Sequence, residues 1–279
     1  MKLVDAAIER RAGEAILSLH DVSVGYGERI VQKHLSFDVR RGSIFALMGG
    51  SGAGKSTLLR SMIGLEEPLS GNMTFAGVDY WAAGDRERAR IGRRFGVLFQ
   101  SAALWSSLTV GENVALPLQM FTRLNEETIQ WFVALKLALA GMEEAVDLLP
   151  AQLSGGMAKR AGLARAIALD PDVLFFDEPS SGLDPVTARR LDALIVDLRD
   201  ALETTVVMVS HDLSSLIAIA DDGVFLDGEA RTAIAHGSPA ALRDRAKDPR
   251  VREFMRGEAA GNSLANREDR QWQTLGSLR

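Results

Sequence analysis

An apolar run at 43–48 leads directly into Gly49-Gly50-Ser51-Gly52-Ala53-Gly54-Lys55-Ser56, and helical spacing follows over 58–64. This junction of strand, glycine-rich loop and helix constrains the chain more than any other stretch. The glycines let successive main-chain N–H groups converge on phosphate oxygens, and the helix start adds a favourable dipole. The G-x4-G-K-S spacing is that of a P-loop, and the strand and helix on either side are the context that such a loop requires. Its chemistry gives the phosphate cradle to Gly49, Gly50, Ser51, Gly52, Ala53, Gly54 and Thr57. Lys55 then reaches the β- and γ-phosphates of a nucleoside triphosphate, and the Ser56 hydroxyl takes Mg²⁺.

A P-loop alone leaves a wide field, and the bulk properties narrow it only by exclusion. The chain has 279 residues, 47% of them hydrophobic, which is enough for a large core. Its 32 Lys+Arg against 37 Asp+Glu give a net charge of −5, unlike the basic footprint of a protein that coats nucleic acid. The chain has no cysteine, which removes disulfides, thiolate metal sites and thiol catalysis. Residues 1–14 lack the apolar centre of a signal peptide. A membrane span needs about 18 or more apolar residues, and the nearest run, 131–142, is interrupted by Lys136. The expectation is a soluble chain whose membrane role is peripheral.

Strands are expected at 16–24 and 30–39 (joined through Gly25-Tyr26-Gly27), and at 74–78, 95–99, 173–176 and 206–209. The stretches 224–226 and 233–235 read as a closing hairpin. Helices are expected within 109–149, with Pro117 and Gly141 as breaks and Asn125-Glu126-Glu127 as a start, and at 158–169, 186–202 and 213–220. Alternating strands and helices imply an α/β fold with a largely parallel sheet, interrupted by an inserted helical lobe over about 105–170. Residues 1–15 read as an extension, 16–257 as the main domain and 258–279 as a polar tail.

Val173-Leu174-Phe175-Phe176-Asp177-Glu178 is an apolar strand that carries two acids out at its C-terminal end, where ligands bind in open α/β sheets. Asp177 is suited to Mg²⁺, through water, and Glu178 to polarising an attacking water as a general base. Leu153-Ser154-Gly155-Gly156-Met157 opens a helix-like run and forms a second anion-favouring start. His211 follows the strand at 206–209. Alone it reads as a structural histidine; at a strand end among these motifs it reads as functional.

In order, the P-loop, Gln100, Leu153-Ser154-Gly155-Gly156, Asp177-Glu178, Ser181-Gly182-Leu183-Asp184 and His211 resemble the ATPase subunits of ATP-binding-cassette transporters, over about residues 16–257. The resemblance implies an ABC ATPase fold: a P-loop NTPase core, an N-terminal antiparallel β subdomain and an inserted α-helical subdomain. It implies ATP and Mg²⁺ as cofactors, and a head-to-tail dimer in which Ser154, Gly155 and Gly156 face the γ-phosphate bound by a second copy. Gln100 then contacts Mg²⁺ and the nucleophilic water, Asp184 couples the two sites, and His211 senses the γ-phosphate. Tyr26 matches the aromatic that stacks on adenine; the other reading is a turn tyrosine packed on the sheet.

Met157, the run Phe99-Gln100-Ser101-Ala102-Ala103-Leu104, and above all Asp248-Pro249-Arg250-Val251-Arg252-Glu253-Phe254 resemble one subgroup. These are the ATPases that work with MCE-domain proteins: phospholipid transporters of the Mla type in the Gram-negative envelope, and their mycobacterial and chloroplast relatives. The implied partners are an MlaE-like integral membrane permease, an MCE-domain protein and a small accessory subunit, with no nucleic acid. The implied place is the cytoplasmic face of the inner membrane. Leu104, Trp105 and Leu108 have two readings, a groove for a permease helix or packing inside the lobe. The tail, with Trp272 and Leu275, reads either as a disordered end or as an arm that grips the second copy.

Two alternatives share the catalytic residues: the ATPase of a small-solute importer and an Fe–S assembly ATPase. A repair ATPase is disfavoured, because no sustained heptads separate Ser56 from Leu153. A catalytically dead module conflicts with intact Lys55, Asp177, Glu178 and His211.

Overall fold

The computed structural model describes residues 13–257. Its centre is a six-stranded sheet in the order β10 (Thr232–His236), β9 (Asp222–Asp227), β3 (Ile44–Met48), β8 (Thr205–Val209), β7 (Val173–Asp177), β6 (Phe95–Leu98). Neighbours run parallel except β9 and β10. β3 and β8 are buried along their whole length, which explains their unbroken apolar sequences: both faces of the sheet are covered.

Period-two alternation sends successive side chains of these strands to different layers. Phe45, Leu47, Phe175 and Val207 face an antiparallel sheet of order β2 (Arg29–Arg40), β1 (Ala15–Tyr26), β4 (Ser70–Phe75), β5 (Val78–Asp79). Helix α1 (Lys55–Met62) packs in the same layer through Leu58, Leu59 and Met62. Ile44, Ala46, Met48, Leu174 and Phe176 face the opposite layer. That layer holds α6 (Pro185–Leu202), α7 (Leu213–Ile219), α8 (Pro239–Arg245) and α9 (Pro249–Met255).

The helical lobe has its own core, built from α3 (Val110–Phe121), α4 (Glu126–Leu139) and α5 (Gly155–Ala166). Helix α5 serves two cores: Ala161 and Ala164 lie in the lobe, whereas Leu163 and Ala166 lie against the central sheet. This shared helix joins the lobe to the sheet, with Leu104 and Leu139 also packed against the sheet-side core. A buried pair of Lys136 on α4 with Asp170 supports the joint from the lobe side.

Several expectations needed correction. Pro117 lies inside α3 and does not break it. The Thr109–Glu112 capping box and the buried Val110, Val114, Leu118 stripe hold the helix, so one missing main-chain donor is tolerated. Tyr26 is the last residue of β1, not a turn residue. The single strand expected at 74–78 is two strands that turn at Ala76-Gly77, both with positive φ. Helix α5 starts at Gly155, earlier than the expected 158, because the Ser154 side chain accepts from Met157 N and caps it. Helix α2 (Asp85–Gly92), α8 and α9 went unread. Residues 1–12 and the tail reading on Trp272 and Leu275 fall outside the described residues.

The contact of α5 with β6 is close enough to be tested. A Cβ on Gly96 would stand 2.2 Å from the Ala166 carbonyl oxygen and 2.7 Å from Leu174 Cδ2. Gly96→Ala should therefore lower stability by about 1–3 kcal/mol in a denaturant titration. An unchanged midpoint would mean that α5 can retreat from the sheet.

Candidate functional site

The parallel register places Leu47, Val209 and Asp177 in one row across β3, β8 and β7. Just beyond that row the chain turns out as Gly49, His211 and Glu178. A cleft of about 730 Å³ opens there, lined among others by Tyr26, Gly49, Lys55, Gln100, Glu178 and His211. Ser51, Gly52, Ala53, Gly54, Ser56 and Thr57 line it too.

The loop from Gly49 to Gly54 takes a conformation that few residues accept. Gly49 has φ 142°, and a Cβ there would lie 2.3 Å from the Leu226 carbonyl oxygen. Helix α1 begins with Gly54 as its cap, without a side-chain cap or an acidic residue in its first turn. Its free N–H groups face the cleft side of the loop and suit an anion. Gln32, fully buried on β2, braces the loop: its Nε2 donates to the Ala53 carbonyl at 2.8 Å and to the Asp227 carbonyl at 2.9 Å. Lys55 Nζ donates to the carbonyls of Gly49 at 2.8 Å and Gly50 at 2.9 Å. Burial pulls the Lys55 ammonium below the ordinary lysine range, opposed by the nearby Glu178 and then Asp177 carboxylates.

Ser56 Oγ donates to Asp177 Oδ1 at 3.3 Å, and Gln100 lines the same cleft. A hydroxyl, a carboxylate and a side-chain amide oxygen form a hard-oxygen donor set that fits Mg²⁺ shared with substrate phosphates. Glu178 has φ 54°, a left-handed conformation held in part by its N–H bond to the Val209 carbonyl at 2.9 Å. Its Oε2 contacts His211 Nδ1, with the carboxylate 15% exposed and the imidazole 67% exposed. The acid is thus oriented by the histidine, and both side chains line the cleft.

Ser154, Gly155 and Gly156 do not reach this cleft. With Met157 and Asp184 they line a second one of about 590 Å³, which shares no lining residue with the first. Asp184 caps α6 and accepts from the N–H groups of Val186 at 3.0 Å and Thr187 at 3.1 Å. Hydrogen bonding from Thr187 holds its carboxyl below the ordinary range. One chain therefore carries two separate clefts.

The Tyr26 side chain lines the first cleft with the residue 47% exposed, and its hydroxyl lies 3.3 Å from Thr57 Oγ1. It is not packed beneath the sheet. Leu104 packs between two cores, whereas Trp105 is 60% exposed. An apolar groove of about 410 Å³ lies instead between lobe and core, lined by Arg93, Phe95, Pro117, Phe121, Arg165 and Leu169 among others. Among the described residues no helix is long and apolar enough to cross a membrane.

Sequence reading gave no place at the site to Gln32, Arg29 and Lys159, and named Phe254 only within the Asp248 to Phe254 element. Gln32 is buried on β2 between half-buried Val31 and exposed Lys33, a position that the alternation of the strand does not announce. Phe254 lines the first cleft because α9 packs its ring 5.0 Å from Phe225, and Arg250 pairs with Asp227 at 3.1 Å. No local pattern announces such a contact.

The pattern of the ABC transporter family matches residues 32–181. The chain is 43% identical to the intermembrane phospholipid transport system ATP-binding protein MlaF of Escherichia coli K12, over 88% of this chain and 90% of that one. Its identity to the Haemophilus influenzae protein of the same name is 39%, over 88% and 92%. The mkl protein of Mycobacterium tuberculosis, named for ribonucleotide transport, is 34% identical over 88% of this chain and 67% of its own. A dimeric ATP-binding cassette in a post-hydrolysis state, bound to ADP and Pi, matches with TM-score 0.71 and 29% identity, over 79% of this chain and 97% of that one. The cbiO1 subunit of an ABC transporter complex from Clostridium perfringens matches with TM-score 0.76 and 26% identity, over 83% and 91%.

A charged hydrogen bond contributes about 1.5–3 kcal/mol. Lys55→Ala should accordingly weaken ATP binding by about ten- to a hundredfold. Equilibrium titration with a fluorescent ATP analogue measures it, and unaltered affinity would count against Lys55 as a phosphate ligand.

Proposed function

The chain belongs to the ABC transporter family as an ATP-hydrolysing subunit, and on that premise we propose that it drives phospholipid transport between two membranes. The observation that carries the substrate class is the 43% identity to a phospholipid-transport ATPase over nearly the full length of both chains. The ribonucleotide reading rests on a lower identity and a smaller share of the relative. The acidic balance of the chain, net −5, disfavours nucleic acid as a partner.

In this reading adenine stacks on Tyr26, and the phosphates lie on the main-chain N–H groups of 49–57. Lys55 exchanges its loop carbonyls for phosphate oxygens. Ser56, Asp177 and Gln100 would hold Mg²⁺, which would supply charge neutralisation at the phosphates. Glu178 accepts a proton from water as the water oxygen bonds the γ-phosphorus and the bridging oxygen leaves with ADP. His211 holds the Glu178 carboxylate toward that water. The facing site is completed by Ser154, Gly155, Gly156 and Asp184 of a second copy in a head-to-tail dimer, consistent with their separation from the chain's own P-loop cleft.

The groove beside Phe121 and Pro117 receives a helix of an integral membrane permease of the MlaE kind. Its apolar lining and its position between lobe and core support this. Movement of the lobe would then reach the permease directly. Lipid selection falls to the permease and to an MCE-domain protein, with a small accessory subunit as a further partner. The chain works at the cytoplasmic face of the inner membrane.

Glu178→Gln should retain ATP, trap the closed dimer and lose about a hundredfold or more in turnover. Normal hydrolysis in that variant would overturn the base assignment. Phe121→Asp should abolish copurification with the permease and leave the ATPase of the isolated subunit intact; continued copurification would move the docking site elsewhere. Mass spectrometry of small molecules carried by the purified complex should find phospholipid, and ribonucleotide in its place would redirect the substrate.

A further inference from the structure

Lys159 stands one turn into α5 and is only 5% exposed. Among the described residues its ammonium forms no salt bridge. Nζ donates to the Gln100 carbonyl and, at 3.1 Å, to the Glu178 carbonyl. Burying an ammonium is costly unless its donors are engaged, and here the engaged groups are the main chain of two separate loops.

Those loops are both in rare conformations. Glu178 has φ 54°, and after Gln100 the chain passes through Ala102 at φ 60° and Ala103 at φ 49°. Such left-handed non-glycine residues are strained and persist only where the surroundings over-determine them. Helix α5 supplies that determination. Arg165 donates to the carbonyls of Ala103 at 2.6 Å and Ala102 at 2.8 Å. Gly162, midway between Lys159 and Arg165, lets the loop close in: a Cβ there would lie 2.8 Å from Leu98 Cδ1 and 3.1 Å from Ala102 Cβ. Lys159 adds a hydrogen bond from this helix to the acid loop. Burial pulls its ammonium below the ordinary lysine range, opposed by the nearby Glu178 and then Asp177 carboxylates.

We propose that Lys159 is a positioning residue of the hydrolytic site, clamping the Gln100 loop and the Glu178 loop to the helix whose first turn faces the partner copy's nucleotide. The inference rests on Glu178 as the base in the reading above. One side chain then joins the chain's own catalytic acid to the half-site that it presents to its partner. Loss of the clamp leaves the P-loop cradle intact, so ATP binds normally and the chemical step suffers.

The test is Lys159→Met, which keeps the apolar stem and removes the donors, in the full chain within its purified membrane complex. We expect kcat to fall by about tenfold or more, for two charge-assisted bonds lost. KM and the Kd of a fluorescent ATP analogue should stay within about twofold, and Lys159→Arg should recover a third or more of the turnover. An unchanged kcat overturns the proposal. So does a joint loss of kcat, affinity and thermal midpoint that Lys159→Arg fails to relieve, because that marks a lysine that only supports the fold. If Lys159→Met does not fold, Lys159→Gln, with one N–H donor group, is judged by the same outcomes. Glu178→Gln runs alongside: normal turnover there removes the base assignment itself, whereas its loss beside an unchanged Lys159→Met removes only the clamp.

Discussion

Main-chain hydrogen bonds between β3, β8 and β7 hold Leu47, Val209 and Asp177 in one row, and the chain leaves that row as three different turns. One becomes the phosphate loop, one carries His211 and one carries Glu178. No local preference brings these three segments together; the parallel register does. It is itself secured by burial on both faces, because a slip of one residue would exchange the side chains of the two layers. The chemistry at the sheet edge thus depends on apolar residues that never touch a ligand.

Helix α5 is the second organising element. Its small residues Ala161 and Ala164 serve the lobe, while Leu163 and Ala166 serve the sheet. The same helix is capped by Ser154 and donates hydrogen bonds to both the Gln100 and the Glu178 loops. Motion of the lobe and geometry of the acid are consequently parts of one mechanical unit, with Gly96 and Gly162 allowing the close approach.

Much of this was legible in the chain. Strands buried on both faces announce themselves as apolar runs, and 43–48, 173–176 and 206–209 fall on β3, β7 and β8. Loop chemistry was legible where it is local: Gly141 ends α4 at φ 62°, and Asn125 caps that helix as expected. Misreadings arose where tertiary packing outweighs local preference. Pro117 stays helical because three buried residues and a capping box hold α3, and Ala76 takes positive φ because strand pairing requires the turn. The site motifs gave Lys55, Asp177, Glu178 and His211, all now near one sheet edge. Gln32 and Lys159 were silent because their partners lie far away in the chain, and Phe254 was legible as part of a motif but not as a cleft residue.

The separation of the two clefts has a genetic consequence under head-to-tail pairing. Under that pairing each nucleotide site would join the P-loop of one copy to the Ser154 turn of the other. If one copy carries a defective P-loop and its partner a defective Ser154 turn, both lesions fall in the same site and the other site is untouched. Two copies with the same lesion damage both sites. Inactive alleles of this protein should therefore sort into two groups that complement between groups and not within them, and the grouping would follow which cleft each residue lines.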